Sequence, residues 1–85
     1  MNAQNLEASF STLILSIASS AAMALGLAPH PETQEVNKDL KMARFNIDLL
    51  VLLQSKTKGN LEEDEQKFLE SVISDLQLKY VQLEK

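Results

Sequence analysis

Cysteine is absent from this chain, and its absence removes two chemistries at once. No disulfide can staple the fold, and no thiolate can hold a metal. A single histidine, His30, excludes a multi-histidine metal centre within one chain. Tryptophan is missing as well, and with one tyrosine and three phenylalanines the chain has few aromatic anchors. Basic residues are in deficit: eight Lys and Arg stand against twelve Asp and Glu, a net charge of −4. An acidic chain with so few aromatics lacks the electrostatic footprint of a nucleic-acid binder, and nothing draws it to anionic membrane surfaces. The composition therefore points to no nucleic acid, no metal and no cofactor.

What is present is apolar. Hydrophobic residues make up 45% of the 85 positions, too many for a disordered chain. A chain this short forms one domain, read here as a flexible lead at 1–8 followed by a single helical domain at 9–83. A single core of that size supplies only ~3–5 kcal/mol, so small proteins often gain stability by self-association.

The stretch from Ala8 to Pro29 carries no charged side chain. It is long enough to span a bilayer. However, six of its residues are Ser or Thr, and the lead before it contains no Lys or Arg to serve as the basic region of an export signal. Ala22-Met23-Ala24 has the look of a cleavage triplet, as Ala-rich helices often do. The expectation is a core helix of a cytoplasmic protein. The alternative is membrane attachment through residues 8–29.

The apolar spacing predicts an all-α protein of three helices, at about 9–25, 38–56 and 62–83. In helix 1, Phe10, Leu13, Ile14, Ile17, Ala18, Ala21, Ala24 and Leu25 form one broad stripe, and Gly26 suits the left-handed stop. The opposite face holds Thr12, Ser16, Ser19, Ser20 and Met23. Small residues at 12, 16 and 20 would let a second helix approach closely, although such a face can equally meet water.

A connector with Pro29 and Pro31 follows, in which His30 reads as a solvated loop residue without a local catalytic partner. Asn37 is the expected cap of helix 2. That helix is apolar around most of its circumference. Leu40, Ala43, Ile47, Leu50 and Val51 form one face, and Met42, Phe45, Leu49, Leu52 and Leu53 cover much of the rest. Two partner helices in one chain can hardly bury all of it. Asn46 and Gln54 fall inside the apolar arc and need hydrogen-bond partners if buried, either the hydroxyls of helix 1 or water at an edge. Arg44 and Asp48 sit one turn apart and read as a surface ion pair.

Helix 3 follows the junction Lys56-Thr57-Lys58-Gly59-Asn60-Leu61. The junction lacks the pattern and the preceding strand of a phosphate loop. Asn60 with Glu63 has capping-box spacing, and the acids at 62–65 favour a helix N-terminus rather than a calcium loop. Phe68, Leu69, Val72, Ile73, Leu76, Tyr80 and Leu83 make one face, with Leu78 and Val81 off it.

Several segments together carry a resemblance: Phe10-Ser11-Thr12, Leu15 to Ala21, Leu25-Gly26, Pro31-Glu32-Thr33, Ile47-Asp48-Leu49-Leu50, Lys56 to Leu61 and Tyr80-Val81. They are similar to the family called domain of unknown function eighteen forty-four, over roughly 9–82, with Lys-Thr-Lys-Gly-Asn-Leu the most specific piece. The resemblance implies a small bacterial all-helical protein with no assigned activity and no catalytic residues to carry over. Family members often have Thr where this chain has Glu62, so a direct hydroxyl cap on helix 3 is not expected here.

The expected function is a non-enzymatic helical protein that self-associates as a helical-bundle homodimer or higher homo-oligomer, a structural or protein-interaction module whose partner is a second copy or another protein. The candidate interface is Thr12, Ser16, Ser19, Ser20, Met23, Phe45, Asn46, Leu49, Leu53 and Gln54.

Overall fold

A computed structural model describes residues 8–29, 34 and 38–84. It holds three helices, α1 Phe10–Ala24, α2 Leu40–Lys56 and α3 Glu63–Glu84, and no strand among the described residues. Most of the expected lead, His30 and the Asn37 cap lie outside that set.

Each helix end has a chemical cause. Ser9 caps α1: its Oγ accepts from the Thr12 N–H at 3.1 Å. At the other end Gly26 takes a φ of 80°, the left-handed value that glycine adopts without steric cost. The Leu27 N–H then reaches back to the Ala22 carbonyl and the Gly26 N–H to that of Met23. This paired closure satisfies the last carbonyls of the helix.

The Asp39 N–H donates to the Ala24 carbonyl at 2.7 Å, so α2 begins where α1 stops. Helix α2 is capped by Asp39, whose carboxylate accepts from the Met42 N–H at 3.1 Å, and it starts at Leu40 rather than 38. After its end, the Asn60 N–H bonds to the Thr57 carbonyl across a turn in which Gly59 has φ 86°. A positive φ at the third turn position is what a type II turn requires.

Helix α3 corrects the expected cap. The Glu65 carboxylate accepts from the Glu62 N–H at 3.0 Å, and the Gln66 N–H bonds to the Glu62 carbonyl. Glu62 and Glu65, not Asn60 and Glu63, therefore make the N-terminal contact, in which the Glu65 side chain serves the N–H of Glu62. The reason is register: the helix begins at Glu63, which puts the third helical position at Glu65.

All three pairs of helices touch. The Cα atoms span 36 × 35 × 15 Å. The short dimension matches two helix layers, since axes about 8–10 Å apart with Cα cylinders of about 2.3 Å radius give roughly 13–15 Å. Ile14, Leu25, Leu50 and Leu69 are the largest fully buried side chains. Ala21, Ala24, Ala43, Ile47, Ile73 and Leu76 complete the core, and Phe10, Ile17, Leu40, Leu61, Phe68 and Tyr80 pack around it.

No helix among the described residues is long and apolar enough to cross a membrane. The uncharged stretch yields an α1 of 15 residues, roughly 22 Å long against about 30 Å of hydrocarbon, with Ile14, Ala21 and Ala24 buried against the rest of the fold. The anchor alternative for residues 8–29 is thus not favoured.

Candidate functional site

Helix α2 turns Ala43, Asn46, Ile47 and Leu50 inward. The inward face cannot take the whole apolar circumference. Met42 remains 50% exposed, Phe45 56% and Leu52 51%, with Leu49 and Leu53 half-buried beside them. The residues at 42, 45, 49 and 52 follow alternating steps of three and four, the spacing that lines up one seam along a helix. The outcome is an apolar stripe facing away from the core.

The flanks of the stripe differ. On one side α2 packs toward α3 across an open groove of about 390 Å³ lined by Arg44, Ile47, Asp48, Gln77, Tyr80, Val81 and Glu84. Arg44 Nε lies 4.0 Å from Asp48 Oδ2, and both side chains are 66% exposed. The expected ion pair is therefore present but loose, and worth only tenths of a kcal/mol. On the other side lies α1. Ala18, Ser19 and Ala22 of α1 line a groove with Val72, Asp75, Leu76 and Lys79 of α3. Helical geometry puts Leu13 and Ser20 on the opposite flank of α1, toward α2. Leu13 is 45% exposed there.

The ten expected interface residues fall into separate places. Phe45, Leu49 and Leu53 lie on or beside the α2 stripe, with Ser20 on the neighbouring flank of α1. Thr12 and Met23 are half-buried, and Ser16 is exposed. Ser19 lines the α1–α3 groove, away from the stripe. Gln54 lines a cleft of about 420 Å³ at the α2–α3 junction with Ser55, Lys58, Gln66 and Glu70. Asn46 is only 8% exposed and belongs to the core.

The polar partners differ from the expectation. Asn46 bonds to its own helix: its Nδ2 donates to the Met42 carbonyl at 3.0 Å. The α1 hydroxyls do likewise. Ser16 Oγ donates to the Thr12 carbonyl at 3.0 Å and Ser20 Oγ to the Ser16 carbonyl at 3.2 Å. A carbonyl one turn back is always within reach of a helical Ser or Thr, so these groups need no second helix. Among the described residues no buried side-chain polar atom lacks a partner.

Met42 and Leu52 were missing from the expected interface. Their signal was present in the sequence as the alternating spacing with Phe45 and Leu49, but an all-round apolar helix hides which arc its neighbours leave open.

Among the described residues no group of three or more His, Cys, Asp or Glu is placed to hold a metal. The three grooves are open and lined by scattered polar groups.

The family model described as Domain of unknown function (DUF1844) matches residues 7–82. The chain belongs to that family. No curated protein and no solved structure gives a significant match.

Proposed function

We propose that this member of the family is a non-enzymatic, cytoplasmic protein-interaction module that works by burying the outer face of α2 against a protein partner, in the first place another copy of itself. One observation carries the reading. Phe45, the only aromatic residue of α2, sits 56% exposed midway along a stripe that also exposes Met42 and Leu52. Large apolar groups clustered on one helix face are the mark of an interaction site, whereas single exposed apolar residues are ordinary.

The stripe is also economical in polar demands. Asn46 and the α1 hydroxyls close their hydrogen bonds within their own helices. Covering the stripe leaves no amide or hydroxyl of these side chains stranded, so the cost of desolvation is small.

The test compares the protein with Phe45→Glu by size-exclusion chromatography with light scattering at micromolar concentration. The protein should run above the 9.5 kDa of a single chain, and the variant should run as a single chain with unchanged helical circular dichroism. A protein already monomeric would count against the self-association reading.

A further inference from the structure

We infer that the occupant of the α2 stripe is the α2 stripe of a second copy, laid antiparallel about a two-fold axis that passes opposite Ile47. In this arrangement Met42 meets Leu52 of the partner subunit, and Phe45 meets Leu49 of the partner subunit. The inference rests on the reading of this face as an interaction surface and adds the partner, the direction and the register.

The first argument is spacing. The stripe residues 42, 45, 49 and 52 are spaced three, four and three, a palindrome centred on position 47. Reversing the helix superposes the stripe on itself, so one surface patch can serve both sides of an isologous interface. Ile47 itself points into its own core at 5% exposure and takes no part.

The second argument is area. Met42, Phe45 and Leu52, each about half exposed, together with Leu13 on the adjoining flank of α1, offer on the order of 400 Å² of apolar surface. One side of a stable interface buries roughly 800 Å², of which roughly 450 Å² is apolar. The patch nearly matches that apolar share.

The third argument is charge. A parallel pair would set Lys41, Asp48 and Lys56 each against its own copy, like against like. The antiparallel pair brings Arg44 within about 3 Å, along the helix axis, of Asp48 of the partner subunit, at 1.5 Å rise per residue. The intrachain Arg44–Asp48 contact is loose, at 4.0 Å and largely exposed, so both groups are free to re-pair across the axis. The antiparallel arrangement also sets the N-terminus of each α2 beside the C-terminus of its partner, where the helix dipoles attract. Lys38 and Lys56 meet only at the open ends, where both reach water.

The chain has no cysteine, so introduced thiols report cleanly. Met42→Cys and Leu52→Cys are oxidised separately and as an equimolar mixture of full-length chains. The mixture should yield disulfide-linked dimer joining the two variants. Neither variant alone should, because two copies of either position lie about 15 Å apart along the axis, well beyond the roughly 4.4–6.8 Å Cα separation of a disulfide. Lys38→Cys with Lys56→Cys, which meet at the open ends in the same register, repeats the test without touching the stripe, so a folding defect at Met42 or Leu52 does not decide it. Either variant of a pair cross-linking to itself as readily as in the mixture would overturn the antiparallel register. A native dimer that cross-links in neither mixture would overturn the register and leave the interaction face standing, whereas a monomeric protein would overturn both.

Discussion

The side-chain amide of Asn46 donates to the backbone carbonyl of Met42, one turn back along α2, at 3.0 Å. The two residues stand one above the other on the same side of α2, where the core gives way to the outer stripe: Asn46 is buried, and Met42 is half exposed. The one buried amide of α2 is thereby satisfied without help from α1 or from another chain. What remains uncovered in this helix is apolar surface.

The hydroxyl face of α1 should tolerate charge. Ser16 and Ser20 already bond to carbonyls of their own helix, and Ser16 is exposed. Ser16→Lys combined with Ser19→Lys, the latter in the α1–α3 groove away from the stripe, should leave the oligomeric state unchanged by light scattering and lower stability by less than about 1 kcal/mol. Loss of association in this variant would move the interface from α2 to α1.

The core should be intolerant. Leu50 is fully buried in the core to which all three helices contribute. Leu50→Ala should cost about 2–5 kcal/mol in urea unfolding, through lost transfer energy and the cavity left behind. A small domain holds only ~3–5 kcal/mol in all, so much of the variant should be unfolded at room temperature. Leu52→Ala, a similar truncation on the outer stripe, should leave the helical circular dichroism intact.

The turn between α2 and α3 should respond to backbone conformation alone. A Cβ on Gly59 would meet nothing within 4 Å, yet its φ is 86°. Gly59→Ala should therefore cost about 1–2 kcal/mol in thermal or urea unfolding. Gly59→Asn should cost less, because Asn enters the left-handed region more easily. Equal costs for the two variants would mean a steric cause instead.

The start of α2 should depend on Asp39. Its carboxylate is the acceptor for the Met42 N–H at 3.1 Å. Asp39→Ala should cost about 1 kcal/mol by urea unfolding, and Asp39→Asn, which keeps a side-chain oxygen, should cost little.

The three helices were legible because the glycines and the apolar spacing are unambiguous. Gly26 and Gly59 mark their stops, and Ile14, Ala21, Leu50, Leu69, Ile73 and Leu76 all fall on the arcs that the spacing marks as apolar. The caps were less legible. Asp39, Glu62 and Glu65 each stand near another plausible oxygen, and a shift of two residues in the helix start changes which one is in reach. Burial around α1 was also overstated, since Leu13 lies on the expected stripe yet stays 45% exposed. A wheel gives the apolar arc of a helix but not the angle its neighbours subtend. For the same reason the wheel does not single out Met42 and Leu52 as exposed beside Phe45, and it sets Ser19 and Gln54 together although they line different grooves.

Pairing of two chains through α2 is read most plainly by sedimentation equilibrium of the full chain over a micromolar concentration series. A closed two-fold pair requires a mass that rises to twice the 9.5 kDa of one chain and stops there. A mass fixed at 9.5 kDa throughout the series would contradict it.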